Sequence, residues 1–449
     1  MQSDLSKQAP DASVWPVASL GSVATKIRSG ATPRGGAENY LPSRERFVLI
    51  RSQNVLDHRF SDAGLANISD SQASELSGAE VQAGDVLLNI TGDGVTFGRS
   101  CIVPERVLPS CVNQHVVLIR LDTKKCLPGY LLAWLTQPDT KAYIESFNAG
   151  GSRRAITKGH IESFALPLPS LDVQKWIADL TCLINQRIET LAQANNKIES
   201  IAANLFRSWL VDFEPTRAKC AGQKPLAMSD QVAALFPDAF ADSTMGQVPA
   251  GWVASRFDSI CKNPRSQAKP EQLPEDTPYI GLEHMPRRSL SLFERGTSAA
   301  LESNKFWFEE NDILFGKLRP YFHKVGLAPC RGVCSTDILV LRAIDQDGHA
   351  FATLHASSDE IIDYATRLSN GARMPRSSWS DLAAYPMVLP PRPVLSAFNA
   401  AVAPMFSRMR GNIKLASNLA QIRDSLLPRL VSGRLSVPHA SAAQEEVAA

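Results

Sequence analysis

The 449-residue chain is 44% hydrophobic and 20% charged, a globular make-up too long for one compact core, which excludes a disordered chain and a single-domain fold. It holds no apolar run of about 18 residues, and its start, Met1 to Val14, is polar with no signal-peptide core, so we expect a cytoplasmic protein that does not enter a membrane. A net charge of +2 excludes a uniformly basic nucleic-acid binder and leaves room for a local basic face balanced by acidic residues elsewhere.

In chain order, residues 1–169 read as a first domain opening on Trp15-Pro16-Val17. Within it, 85–91 and 115–121 have the β-branched and aliphatic content of strands, and 127–147 reads as one helix. Gly92-Asp93-Gly94 followed by Gly98 looks superficially like a dinucleotide loop, but the third glycine comes one residue late and no clear helix follows, so a β-turn is expected. The phrase Ala165-Leu166-Pro167-Leu168-Pro169 leads into a first long helix, 170–213, with Ile177, Ile184, Leu191, Ile198 and Leu205 spaced by sevens. That spacing is a coiled-coil seam. Arg187 sits at a core-type position in it. Residues 214–250 are rich in Pro, Gly, Ser and Asp and read as an extended linker holding a short helix near 230–235.

From Gly251-Trp252-Val253 the chain repeats itself, at a distance of about 220 residues, giving a second domain over 251–390. Tyr279-Ile280-Gly281-Leu282-Glu283-His284 corresponds to Leu49-Ile50-Arg51-Ser52-Gln53-Asn54, and Asp312-Ile313-Leu314-Phe315 to Asp85-Val86-Leu87-Leu88. Met387-Val388-Leu389-Pro390 then leads into a second long helix, 391–435, with Phe398, Met405, Asn412, Leu419 and Leu426 in the same heptad register. Pro404 lacks a donor and Gly411 weakens helix propensity, so a kink or a broken first turn is expected there. Arg408 matches Arg187; the two either set the alignment of the helices or lie exposed on the seam. Residues 436–449 are small and polar and read as a disordered tail. The expected fold is mixed α/β (α+β), with two similar domains joined by two long antiparallel coiled-coil helices in a pseudo-two-fold internal repeat.

No catalytic signature stands out. There is no Asn/Asp-Pro-Pro-aromatic tetrapeptide, no phosphate loop and no acidic-lysine nuclease cluster. His58, His115, His160, His284, His323 and His355 have no Ser, Cys or carboxylate partner legible in the sequence. Of the eight cysteines, Cys330 and Cys334 are the only close pair, at a spacing that zinc knuckles do not use, so no metal site is expected. What recurs is basic and polar residues on Gly- and Pro-marked loops. The first domain offers Arg28 and Arg34, then Arg51, Gln53 and Asn54, then Arg153, Arg154 and Lys158 beside Gly150-Gly151. The second offers Arg265 and Lys269, then His284, Arg287 and Arg288, then Lys317, Arg319 and Lys324, then Arg373 and Arg376 beside Gly371. Arginine suits phosphates and guanine edges, and Gln or Asn suits adenine, because each presents paired in-plane hydrogen bonds. Recurrence on corresponding loops of two copies points to a bipartite DNA reader.

The order domain, helix, domain, helix, with Leu166-Pro167-Leu168-Pro169 and the downstream Gln174, resembles the specificity subunits of type I restriction-modification systems. So do Phe213-Glu214-Pro215-Thr216-Arg217 and the run from Leu235-Phe236-Pro237-Asp238 to Gly246-Gln247-Val248-Pro249. The resemblance extends to about Leu435; Leu395 in place of the second helix-start Gln, and Pro404, depart from it. It implies two target-recognition domains on double-stranded DNA, each reading half of an asymmetric site, with the helices fixing the unread spacer. It also implies two adenine-N6 methyltransferase subunits carrying S-adenosylmethionine and, in complexes that restrict, two restriction subunits using ATP and Mg, with no cofactor and no catalysis in this chain. The apolar helix faces around Ile188, Leu191, Ile198 and Ile201 are expected to help dock the methyltransferases. Two rival readings stay open at this point: a stand-alone DNA-modifying enzyme with divergent motifs, and a coiled-coil adaptor that binds only protein.

Overall fold

The computed structural model describes residues 14–92, 96–147, 154–369 and 374–437. The chain divides into two compact units, residues 1–187 with 419–449, and residues 188–418. Each unit holds one domain together with a portion of both long helices, Leu171–Phe206 and Arg392–Val431.

In the first unit a four-stranded antiparallel sheet runs in the order Ser100–Ile102, Val86–Asn89, Val116–Leu121, Ala24–Ser29. A second four-stranded sheet runs Ala66–Ile68, Phe47–Ile50, Ser110–Val112, Glu80–Val81, and its central pair is parallel. The period-two alternation of strands assigns the faces. Leu87, Val116 and Leu118 point into the core shared with Val48, Ile50 and Val112. Val86, Leu88, Val117 and Ile119 point the other way, onto Trp134, Ile144, Ile177 and Leu427. Every strand residue of Val86–Asn89 is buried, which is why the sequence there shows an unbroken apolar run.

The second unit repeats this plan. One sheet runs Cys261–Lys262, Ile338–Ala343, Ile313–Gly316, Val325–Leu327; the other has five strands, again with a central parallel pair, Pro278–Ile280 beside Gly332–Cys334. Leu314, Ile338 and Val340 face one core, and Ile313, Phe315 and Leu341 face another with Phe351 and Phe398. One ion pair on a buried aspartate marks the repeat at atomic scale. Arg120 holds Asp85 with two bonds of 2.8 Å, and Arg342 holds Asp312 with bonds of 2.7 and 2.6 Å. The same aspartates accept the backbone N–H groups of Gln82 and Glu309, so each closes a turn and fixes a strand at once.

Four expectations need correction. The stretch 127–147 is two helices, Pro128–Thr136 and Pro138–Ser146, because Pro138 forces Gln137 into an extended conformation at φ −69°, ψ 150°. The stretch 214–250 is packed structure. It contains the helix Glu214–Cys220, the short helix Asp230–Ala233 and the hairpin Phe240–Ser243 with Gly246–Pro249, gathered on the aromatic cluster Trp209, Phe213, Phe236 and Trp252. The first long helix ends at Phe206, followed by a wider turn over Arg207–Val211. The second long helix runs unbroken through Pro404 and Gly411, because Val402, Phe406 and Met409 are buried around the exposed Pro404 and hold the helix from its packed face.

The helices pair antiparallel within each unit. Arg423 donates to Asn185 at 2.5 Å in the first; Asn412 donates to Asn195 at 2.8 Å and Phe206 meets Phe398 in the second. Ile177, Leu191 and Phe398 are buried in the seam, whereas Ile184, Ile198, Leu205, Met405, Leu419 and Leu426 are half-buried at its edges. The buried row of the second helix is Val394, Phe398, Val402, Phe406, Met409, Ile413 and Ala416. Its steps of four and three drift away from a strict seven, as a straight helix does. Arg187 and Arg408 are exposed, and the polar pair buried between the helices is Asn195 with Asn412 instead. Of the expected tail, Val437 is buried against the first domain; residues 438–449 lie outside the described residues. Among the described residues no helix is long and apolar enough to cross a membrane.

Candidate nucleic-acid interface

In the first domain the strand Phe47–Ile50 runs into a single 3-10 turn, Ser52–Asn54. Asn54 is fully buried. Its Oδ1 accepts the Arg51 N–H at 3.0 Å, and its Nδ2 donates to the carbonyls of Ser61 and Ala63 at 2.9 and 3.2 Å. Both ends of its amide are committed to backbone, so the expected DNA contact by Asn54 is corrected: it shapes the loop. The Arg51 guanidinium donates to the Gly64 carbonyl and lies over the Tyr40 ring. Gln53 is exposed beside it, 3.2 Å from the same carbonyl.

Buried Asn89 donates to the carbonyls of Ser52 at 2.9 Å and Thr96 at 3.0 Å, tying this turn to the following hairpin. A polar chain extends the rim. Thr32 Oγ1 donates to Gln114 Oε1 at 2.5 Å, Gln114 Nε2 meets His115 Nε2 at 3.2 Å, and His115 Nδ1 meets Thr91 Oγ1 at 2.5 Å. That chain brings in the loop of exposed Arg34. The strand Arg154–Ala155 pairs with Thr91–Gly92 and adds Arg154, which bonds Glu145 at 2.7 Å. Lys158, in the first turn of Lys158–Glu162, pairs with Glu162 at 3.3 Å. Arg28 lies on the strand leading to Gly30, its guanidinium against the bare Cα of Gly78. Arg153 lies outside the described residues.

The second domain builds the same frame from other side chains. Leu282–His284 is again one 3-10 turn after a strand, and His284 Nδ1 accepts the Gly281 N–H at 3.0 Å, as Asn54 does for Arg51. Where Asn89 braces Ser52, the Lys324 ammonium donates to the Leu282 carbonyl at 2.5 Å. Arg287 stacks on the Phe322 ring at 4.1 Å, with Arg319 at 5.9 Å from the same ring. Arg288 pairs with Asp359 at 2.8 Å, and its N–H donates to the His323 carbonyl at 2.9 Å. Lys317 donates its N–H to the Asp337 carbonyl and accepts from the Ser377 N–H, both at 3.0 Å. Arg376 reaches Asp337 at 3.4 Å. Arg373 lies outside the described residues.

His284, Arg287, Arg288, Lys317, Arg319 and Arg376 therefore share one surface formed by three loops. Burial, and then the Arg287 guanidinium, push Lys324 below the ordinary lysine range, with Glu283 opposing. The surface is mixed in charge: Arg287, Lys317 and Arg319 stand beside Arg288 and Arg376, which are paired with Asp359 and Asp337. Such a rim can hold phosphates through its guanidinium and ammonium groups and offer fixed donors to base edges. Among the described residues no group of three or more His, Cys, Asp or Glu could hold a metal ion. Sequence reasoning missed Thr32 and Gln114, and also Tyr321 and Phe322 at the tip of the second domain's hairpin. The run Pro320-Tyr321-Phe322-His323 between two short strands was the available signal.

Residues 13–200 match the family described as Type I restriction modification DNA specificity domain. Over 97% of its length the chain is 22% identical to the type I restriction enzyme MjaIX specificity subunit of Methanocaldococcus jannaschii, covering 96% of that protein. It is also 22% identical to the HindI specificity subunit of Haemophilus influenzae, over 86% of this chain and 94% of that one. Its fold is like that of the type I restriction-modification S subunit from M. genitalium, with a TM-score of 0.51 at 13% identity over 93% of this chain and 96% of the other. Two domains of one plan, each ending in a long helix and each framing a cationic loop rim, agree with these likenesses: residues 13–200 match the type I DNA specificity domain, and nearly the whole chain is similar to type I specificity subunits.

Proposed function

We propose that this chain directs a type I complex to a bipartite, asymmetric DNA site, each domain reading one half, and that it does no chemistry itself. The observation that carries this reading is the repeated frame: Asn54 and His284 lock equivalent turns, and Asn89 and Lys324 brace them, while the side chains displayed on the two frames differ. Equal scaffolds with unlike displays read unlike half-sites. Phosphate contacts provide salt-sensitive affinity, and base contacts discriminate at about 1–3 kcal/mol per base pair. In this reading two methyltransferase subunits with S-adenosylmethionine methylate adenine N6, and ATP- and Mg-dependent restriction subunits join where they are present. The complex works on cytoplasmic DNA. Exposed Ile201, and Ile198 at the edge of the seam, offer apolar surface for the methyltransferases.

The test is single-molecule sequencing of modified adenines in a methylation-free host expressing this chain with its methyltransferase subunit. The expected result is a split motif with a fixed unread spacer that disappears without the chain. Lys317→Ala with Arg319→Ala should then relax or abolish one half of the motif and leave subunit assembly intact. Soluble, associated proteins that leave no motif would refute the proposal.

A further inference from the structure

The hairpin tip of the second domain carries an aromatic ring with no role in the core. Tyr321 is 50% exposed, and among the described residues its hydroxyl has no hydrogen-bond partner. Its ring meets Phe322 edge-on at 4.8 Å. The Phe322 face is occupied by the Arg287 guanidinium at 4.1 Å, which leaves Tyr321 as the aromatic face directed outward from the rim. The turn Pro320–Phe322 that presents it is flanked by Arg319 and His323, both left-handed at φ 51°, a conformation that side chains of this size rarely adopt. Four bonds hold that backbone. The Arg319 N–H donates to the Pro375 carbonyl at 2.8 Å and the Gly316 N–H to the Lys324 carbonyl at 2.8 Å. His323 Nε2 bonds the Ser357 carbonyl at 2.9 Å, and the His323 carbonyl accepts the Arg288 N–H at 2.9 Å. The ring is thus rigidly displayed amid Arg287, Lys317 and Arg319.

We infer that Tyr321 is a stacking wedge that inserts at one base step of the second domain's half-site, an inference that rests on the DNA-reading role proposed above. The surrounding cations seat phosphates, which brings a base step to the ring, and an aromatic plane stacks on any base face without a hydrogen-bond code. The equivalent hairpin of the first domain has one aromatic residue between 91 and 98, Phe97, and it is buried. The wedge is therefore one-sided, and the second half-site is the one that unstacks.

The experiment uses the chain assembled with its methyltransferase subunit and duplexes carrying the methylation motif. Tyr321→Ala should weaken binding about tenfold, the loss of one stacked base, with the slope of log affinity against log salt unchanged because no phosphate contact is lost. Tyr321→Phe should bind like the wild type. A mismatch scanned through the second half-site should tighten wild-type binding several-fold at one step, where unstacking is already done, and should not tighten binding by Tyr321→Ala. Unchanged affinity in an assembled Tyr321→Ala complex, or failure of Tyr321→Phe to restore it, overturns the wedge. Loss of subunit assembly in Tyr321→Ala overturns it too, in favour of a protein contact. A wild-type complex without any split motif refutes the DNA-reading role and the wedge together, whereas a normal motif with an indifferent Tyr321→Ala refutes the wedge alone.

Discussion

Replacing Asn195 by alanine should show what the buried polar pair in the helix seam does. Asn195 is fully buried and Asn412 is 3% exposed. Asn195 accepts from Asn412 at 2.8 Å and donates to Ser291 Oγ at 3.0 Å and the Met409 carbonyl at 3.1 Å. Removing its amide strands the Asn412 NH2 group without a partner, at about 1–3 kcal/mol, and forfeits two further bonds of about 1 kcal/mol each. The better helix propensity of alanine returns roughly half a kcal/mol. The expected net loss is about 3 kcal/mol, which for a unit of this size lowers its melting temperature by about 6–12 °C. Differential scanning calorimetry of the full chain is the assay. The paired change Asn195→Leu with Asn412→Leu removes both partners, leaves little unpaired and should recover to within about 1 kcal/mol of the wild type. A buried asparagine pair costs stability and selects alignment, so the double variant should lose fidelity in the unread spacer of the methylation motif while staying folded. A loss below about 1 kcal/mol for Asn195→Ala, or a double variant as unstable as its two parts combined, would refute the reasoning.

Three further outcomes follow from single features. Asp85→Asn and Asp312→Asn should each destabilise by about 2–3 kcal/mol in urea titration, below the usual figure for a broken buried pair because Arg120 and Arg342 keep 23% and 38% of their side chains in solvent; unequal effects would contradict the atomic repeat. Burial pushes His355 down to about 3, and burial, then Arg423 and Lys141, does the same to His58. Both fold neutral, and the unfolded chain takes up protons near pH 6.5 that the native state refuses. Their stabilisation is complete above that pH and falls between pH 6.5 and 3 by up to about 1.4 kcal/mol per pH unit for each, and His355→Phe should flatten the slope measured by denaturation at stepped pH. Gly30→Ala would place a Cβ 1.6 Å from the Val112 carbonyl oxygen, so the loop must move and its 3.1 Å bond from the Gly30 N–H to Asn113 must break, at about 2–4 kcal/mol by thermal melt.

The repeat and its strands were legible because they rest on local composition: 86–89 and 313–316 are short apolar runs that face both sides of a doubly covered sheet. Pro138 announced its break in the sequence as plainly as Pro404 suggested one that did not occur. The difference lies at Pro404, where buried neighbours hold the second helix, whereas Pro138 forces Gln137 into an extended conformation and the chain turns there. The linker was misread because its composition is that of a loop, whereas the aromatic residues that organise it, Trp209, Phe213, Phe236 and Trp252, are scattered along the chain. Asn54 shows why candidate contacts are harder than folds: its residue type fits adenine, but only tertiary structure reveals that its amide faces inward. Arg287, Arg288 and Arg319, with backbone and ring contacts that place them on one rim, were recognisable from charge on glycine- and proline-marked loops.

The turn locks have a consequence for how such proteins diversify. Asn54 and His284 grip main-chain N–H groups, and Asn89 and Lys324 grip main-chain carbonyls. Two duplicated halves have thus kept one anchorage with four different side chains. Because the anchorage is indifferent to what the intervening residues display, recognition side chains can mutate freely while the frame persists. Under the DNA-reading role proposed above, either half can then acquire a new target by substitution alone, with the loops that carry its side chains left in place.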